Sequence, residues 1–172
     1  KKTFFLSLVT ASLLNKDYNS KFISEMPEYK NEILYFDTEQ GEYDSYNVIK
    51  RIETMVGNVG RLRAYCLRQF SPIERCQIIE YAFTLFGQKT GYCVIDGIAD
   101  LANGINDEDE ATRVTTMLLN LTKIYNCHIS TIIHQNKNDN FATGHLGSSI
   151  MKKAEIIISV TKTEGNAVEI NC

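Results

Sequence analysis

Short apolar runs alternate along the chain with longer stretches of helical period. Residues 3–14, TFFLSLVTASLL, are apolar on nearly every side, as a buried helix requires. Residues 33–37 predict a strand, and 45–56 follow with the spacing of an amphipathic helix. A second strand is expected at 62–67. Ser71 and Pro72 then supply an N-cap with proline at the first helical position, opening a helix that runs to Phe86 and stops at Gly87. Residues 92–96 read as a third strand. A long helix is expected over 107–126, where Ala111, Val114, Leu118, Leu121 and Tyr125 fall on one face. Residues 127–134 read as a fourth strand and 155–161 as a fifth, which pairs with 168–171 in a hairpin through Glu164, Gly165 and Asn166.

This alternation predicts an α/β fold: a mostly parallel sheet joined by right-handed crossovers, helices on both faces, and a C-terminal antiparallel hairpin. Ligands of such sheets bind at the carboxyl ends of the strands. Three strands deliver polar groups there: Asp37 and Glu39 after the first, Asp96 after the third, His134 and Gln135 after the fourth. A single polar tip needs no reason beyond the strand having ended. Three together favour a site.

Composition narrows the class. With 172 residues, 44% of them hydrophobic, the chain has enough material for one domain with a substantial core. The net charge of −3 does not announce a nucleic-acid binder, but a local basic loop can hold phosphate on an acidic protein. Cys66, Cys76, Cys93, Cys127 and Cys172 form no CxxC pair, and several sit in apolar runs. They read as reduced thiols of a cytosolic protein. No apolar run approaches the ~20 residues that span a bilayer. The chain opens at Lys1 without Met and closes at Cys172 within a strand pattern, as a fragment of a longer protein would. The acidic stretch 106–111, NDEDEA, is explained as a helix start: Asn106 is a good cap, and carboxylates there favour the macrodipole.

Lys2-Thr3 stands immediately before the apolar helix of 3–14. A phosphate-binding loop ends in G-K-[ST] at such a helix, where amides and the helix N-terminus cradle phosphate, the lysine reaches the β and γ oxygens and the hydroxyl binds Mg²⁺. Lys-Thr alone is weak. With an apolar strand ending in Asp96 it makes a Walker A and Walker B pair.

On these residues the chain resembles the RecA-like branch of P-loop ATPases, from Lys2 to about Ile170. YFDTEQ is similar to the segment where that branch carries a water-activating glutamate, CVIDG to Walker B, and IIHQNKN to the strand that senses the γ-phosphate. GHLGSSIMKKAEIIISVTK resembles the return from a DNA-contacting loop through a short helix into the next strand. Among the branches, it looks most like the hexameric replicative helicases of plasmids and the ATPases of mobilizable transposons.

The resemblance implies a RecA-like P-loop NTPase core over 1–172, with the phosphate-loop glycines and a first strand ahead of Lys1. It implies ATP and Mg²⁺ as cofactors, single-stranded DNA as a partner, and a homo-oligomer such as a hexamer, with nucleotide between subunits. Lys2 would neutralise the γ-phosphate, Thr3 and Asp96 would hold Mg²⁺, and Glu39 would activate water with Asp37 as a polar support. Gln135 would sense the γ-phosphate. His134 reads equally as a nucleotide contact or as a histidine satisfied at a strand end. The loop 136–149 is rich in Asn, Asp, Gly and Ser, a composition that predicts mobility. In it and just beyond, Lys137, Asn138, Phe141, His145, Ser148, Ser149 and Lys152 are candidate DNA contacts, and a solvated loop is the alternative. Lys162 is a candidate for reaching a neighbouring subunit's γ-phosphate, or is a surface lysine.

One departure matters. Lys1 stands where the family has glycine, a position that favours positive φ and close approach of the backbone to phosphate. Two other readings therefore stand beside an ATPase: a nucleotide-dependent DNA-binding regulatory module with little or no hydrolysis, and an unrelated doubly wound enzyme, such as a metal-dependent hydrolase, using the strand-end carboxylates and His134.

Overall fold

The computed structural model describes residues 2–18, 23–135, 142–162 and 168–171. Four strands form one sheet: β1 (Glu32–Asp37), β2 (Leu62–Cys66), β3 (Thr90–Asp96) and β4 (His128–Thr131), in the order β2-β1-β3-β4. Every neighbouring pair is parallel, with Phe36 beside both Tyr65 and Ile95, and Asp37 beside Asp96. The α/β class and the parallel sheet expected from the alternating pattern are both present.

Helices cover both faces. Successive side chains of a strand point to opposite sides, so β1 sends Ile33 and Tyr35 one way and Leu34 and Phe36 the other. On the first face, α1 (Lys2–Leu14) and α2 (Glu42–Val56) pack Leu6, Ala11, Val48 and Ile52 against Ile33, Tyr35, Tyr92 and Val94. On the second, α3 (Pro72–Phe86), α4 (Glu108–Tyr125) and α5 (Gly144–Lys153) pack Ile79, Phe83, Val114, Leu121 and Leu146 against Leu34, Phe36, Cys93 and Ile95. Full burial of a side chain such as Phe36 or Phe83 contributes about 1.5–3 kcal/mol.

The helix ends follow local chemistry. Ser71 and Glu74 form a reciprocal capping box at the start of α3, with Pro72 at the first helical position. At α4 the cap is Asp107 rather than the expected Asn106: its carboxylate accepts from the amides of Asp109 and Glu110 at 2.9 and 3.0 Å. A side chain at this place reaches the second and third helical amides, and Asn106 lies one residue too early to do so. Asn126 ends α4 in the left-handed region at φ 46°, and the buried Lys30 ammonium donates to Tyr125 O there, a cation at the negative end of the helix.

Three expectations change at the C-terminal side. The fourth strand, expected over 127–134, is regular only from His128 to Thr131. Beyond it, Ile132 N still donates to Ile95 O at 3.1 Å, after which the chain leaves the ladder and Gln135 bridges Ala142. Residues 144–149, read within the loop 136–149, are the first turns of α5, the short helix expected on the return from that loop. The fifth strand begins at Ser159 rather than 155: β5 (Ser159–Lys162) pairs antiparallel with β6 (Val168–Asn171) in a separate two-stranded sheet. The hairpin is as expected, and its turn, 164–166, lies outside the described residues. Ile156, Ile157 and Ile158 are 64%, 48% and 41% exposed. An apolar run becomes a strand only where a neighbour takes its backbone N–H and C=O groups, and among the described residues 155–158 has no such partner.

Among the described residues no helix is long and apolar enough to cross a membrane, and Cys66, Cys76, Cys93 and Cys127 are free thiols.

Candidate functional site

The strand order fixes where a site can form. From β1 the chain crosses to β2 on one side, then returns to place β3 on the other side of β1. The crossovers therefore diverge between the carboxyl ends of β1 and β3, the switch point where doubly wound sheets open a crevice. Asp37 and Asp96 are register partners at that point.

The two carboxylates at the tip of β1 have different tasks. Asp37 is fully buried and turned back on its own chain: it accepts from Glu39 N at 3.2 Å, Gln40 N at 2.9 Å and Gln40 Nε2 at 2.9 Å. These bonds bend the backbone sharply out of the strand, as Asx turns do. Glu39 is thereby carried onto the edge, its side chain 39% exposed, with Oε1 at 3.7 Å from His134 Nε2.

Asp96 lies on the floor. It is 2% exposed, Tyr35 donates its phenolic hydrogen to Oδ2 at 3.1 Å, and the Thr3 hydroxyl lies near enough to favour its charged form. Burial pushes its carboxyl above the usual 3.8; the nearby Asp37 and Glu39 charges add to this, and the Thr3 and Tyr35 hydroxyls oppose it. The same environment lifts the Tyr35 hydroxyl well above its ordinary range, chiefly by burial.

Lys2 closes the group from the start of α1. Its Nζ donates to Ile133 O at 2.6 Å, just past β4, and it lies in the field of Glu39 and Asp96. Desolvation lowers its pKa by more than those two carboxylates raise it. Lys2 is therefore a partly desolvated cation at a helix N-terminus, where orphan amides and the macrodipole also favour an anion.

Thr38 and Asp100 complete the edge. Thr38 Oγ1 stands 3.0 Å from Asp96 O, 2.7 Å from Gly97 O and 3.1 Å from Asp100 Oδ2. Gly97 takes φ 108°, and a Cβ there would overlap Thr38 Oγ1 and Glu39 Cγ. Glycine is needed at this position both for its backbone angle and for close approach. Thr38, Tyr35 and Arg75, which also reaches Asp100, were not among the site residues expected from sequence. Their roles depend on contacts across about 25 to 60 positions, which no local motif reports.

The structure thus brings Lys2, Thr3, Glu39, Asp96 and His134 together. Gln135 is exposed beside them, its backbone bridged to Ala142. The described candidate DNA contacts form a second group on α5: His145, Ser148, Ser149 and Lys152, with Lys153, line a shallow groove against Glu108 and Thr112 of α4. Ser149 Oγ is 3.0 Å from Thr115 Oγ1, and Ser148 Oγ donates to Gly144 O at 3.2 Å. Lys137, Asn138 and Phe141 lie outside the described residues, as do Lys1 and the side chain of Lys162.

Among the described residues no three His, Cys, Asp or Glu side chains are grouped to hold a metal by themselves. A Mg²⁺ carried on nucleotide phosphates asks only for one or two protein oxygens, and the Thr3 hydroxyl with the Asp96 carboxylate fits that need. Compared with protein-family models and with curated proteins, the chain matches none.

Proposed function

We propose that this chain is a RecA-like P-loop motor domain that binds and hydrolyses ATP and acts on single-stranded DNA, as a helicase or a replication or mobilisation ATPase of a mobile element. The observation that carries the reading is the convergence, at the β1–β3 switch point, of a helix-start lysine and threonine with a buried aspartate and an exposed glutamate. Phosphoryl transfer to water is mostly positioning and charge stabilisation, and each group has a part. Lys2 and the α1 N-terminus hold phosphate charge. Thr3 and Asp96 hold Mg²⁺, which supplies further charge stabilisation when bound. Glu39 orients the attacking water and accepts its proton, with His134 at its side. The exposed groups of α5 and the segment before it supply the DNA contacts, and subunits share the nucleotide in an oligomer.

A second reading, nucleotide-dependent regulation without turnover, draws on Lys1 in place of glycine. ATP hydrolysis by the protein and by its Glu39→Gln variant, with and without single-stranded DNA, separates the two. DNA-stimulated turnover lost in the variant supports the motor. Mg-ATP binding without turnover in either protein supports the regulator.

A further inference from the structure

Arg75 belongs to α3, on the face of the sheet away from α1, yet its guanidinium gathers the strand tips. It donates from Nε to Leu67 O at 3.0 Å and from NH2 to Arg68 O at 2.8 Å, both just past β2. It donates from NH1 to Asp100 O at 2.6 Å, just past β3, with Asp100 Oδ1 at 3.9 Å. The side chain is 12% exposed, and its planar fork spends its donors on three carbonyls that a lysine could not reach together.

Asp100 hands the constraint on. Its other carboxylate oxygen faces Thr38 Oγ1, whose single hydrogen meets three acceptors: Asp96 O, Gly97 O and Asp100 Oδ2. Such an excess of acceptors is unfavourable unless a cation offsets it, and Arg75 lies against Asp100 on its far side. Thr38 is held as well by its own amide, which donates to Asp96 O at 3.1 Å. The next residue is Glu39, whose Cγ rests where a Gly97 side chain would stand.

We infer that Arg75, acting through Asp100 and Thr38, is a positioning residue that sets the direction in which Glu39 leaves the β1 tip. This rests on the ATPase reading above. Arg75 touches no reacting atom; it fixes the backbone from which the base projects, by tying the ends of β2 and β3 around that of β1.

The test uses the full chain and four variants, Arg75→Lys, Arg75→Met, Thr38→Ser and Thr38→Val, each also combined with Glu39→Gln. Steady-state ATPase with single-stranded DNA and thermal melting are measured for all. Misplacement of a catalytic group by about 1 Å costs on the order of 100-fold. Both Arg75 variants and Thr38→Val are accordingly expected to lose about 10- to 100-fold in kcat with KM for Mg-ATP nearly unchanged. Thr38→Ser keeps the hydroxyl and stays close to wild type. In the Glu39→Gln background none of the four lowers the residual rate further, because there is no base left to aim. Losses that persist undiminished in that background, or a KM that rises as kcat falls, overturn the inference. Should Arg75→Met fail to fold, the Thr38 pair decides alone. Wild-type turnover with Thr38→Val unimpaired sinks only this inference. A wild type that never hydrolyses ATP sinks the parent reading, and this one with it.

Discussion

Asp96 is held in a place that costs the fold and serves the site. Its carboxyl pKa is raised above 3.8 mainly by burial. A raised pKa contributes stability that is fully present below the unfolded value and lost as pH rises through the folded one. At neutral pH the ionised Asp96 therefore weighs against the folded state. Asp96→Asn keeps the shape and can still accept from Tyr35 through its amide oxygen. Without nucleotide, this variant is expected to melt about 2–4 °C above wild type at pH 7, for a gain of about 1 kcal/mol. The difference should vanish toward pH 3, while Mg-dependent nucleotide binding is lost; melting curves across that range and Mg-ATP titrations check both. Gly97 is the second residue whose identity is forced. Gly97→Ala combines a left-handed backbone with overlap onto Thr38 and Glu39. It should cost about 1–3 kcal/mol of stability by denaturant unfolding and disable turnover beyond what that loss explains.

At the scale of elements, caps and periodicity were the legible features. Ser71 and Pro72 mark the start of α3 in the sequence, and in the structure Ser71 forms a capping box with Glu74. Ser71→Ala is expected to cost about 1 kcal/mol in urea unfolding with an unchanged m-value, since the exposed cap is lost without a change in the surface exposed on unfolding. β1 and β3 could be read because continuous apolar runs signal strands buried on both faces. The end of β4 and the start of β5 could not. Ile132–Ile133 and Ile156–Ile158 are as apolar as any strand, but pairing depends on which backbone lies alongside, and composition does not carry that information. Candidate site residues divide the same way. Lys2, Thr3, Glu39 and Asp96 could be picked out because each ends or begins an apolar element. Tyr35, Thr38 and Arg75 read as a strand residue, a tip residue and a helix residue until the sheet brings β2, β1 and β3 side by side.

For the molecule as a whole, the site charges make a ligand-linked stability prediction. A ligand that binds only the folded state at 100 times its Kd adds about 2.7 kcal/mol. Mg-ATP at that excess should raise the melting temperature by about 5–10 °C. Lys2→Ala should abolish most of the shift while leaving the nucleotide-free melting temperature close to wild type or slightly higher, because it removes a partly desolvated cation whose pKa is lowered. An equal shift in both proteins would remove Lys2 from the phosphate site.

The strand order has a further consequence, in the time domain. β1–α2–β2 and β3–α4–β4 are each parallel units closed by a single helix, so both can form from neighbouring chain. The β1–β3 seam is different: Thr38 and Gly97 meet across 59 positions, with α2, β2 and α3 lying between the two strands along the chain. Non-local pairings bear the largest loop-closure cost and set folding speed. The two halves should therefore form first and dock last, and the seam where they dock is the candidate site. A ligand bound there has nothing to grip in the transition state. Saturating Mg-ATP is expected to slow unfolding and leave the folding rate unchanged, which chevron plots with and without nucleotide will read directly.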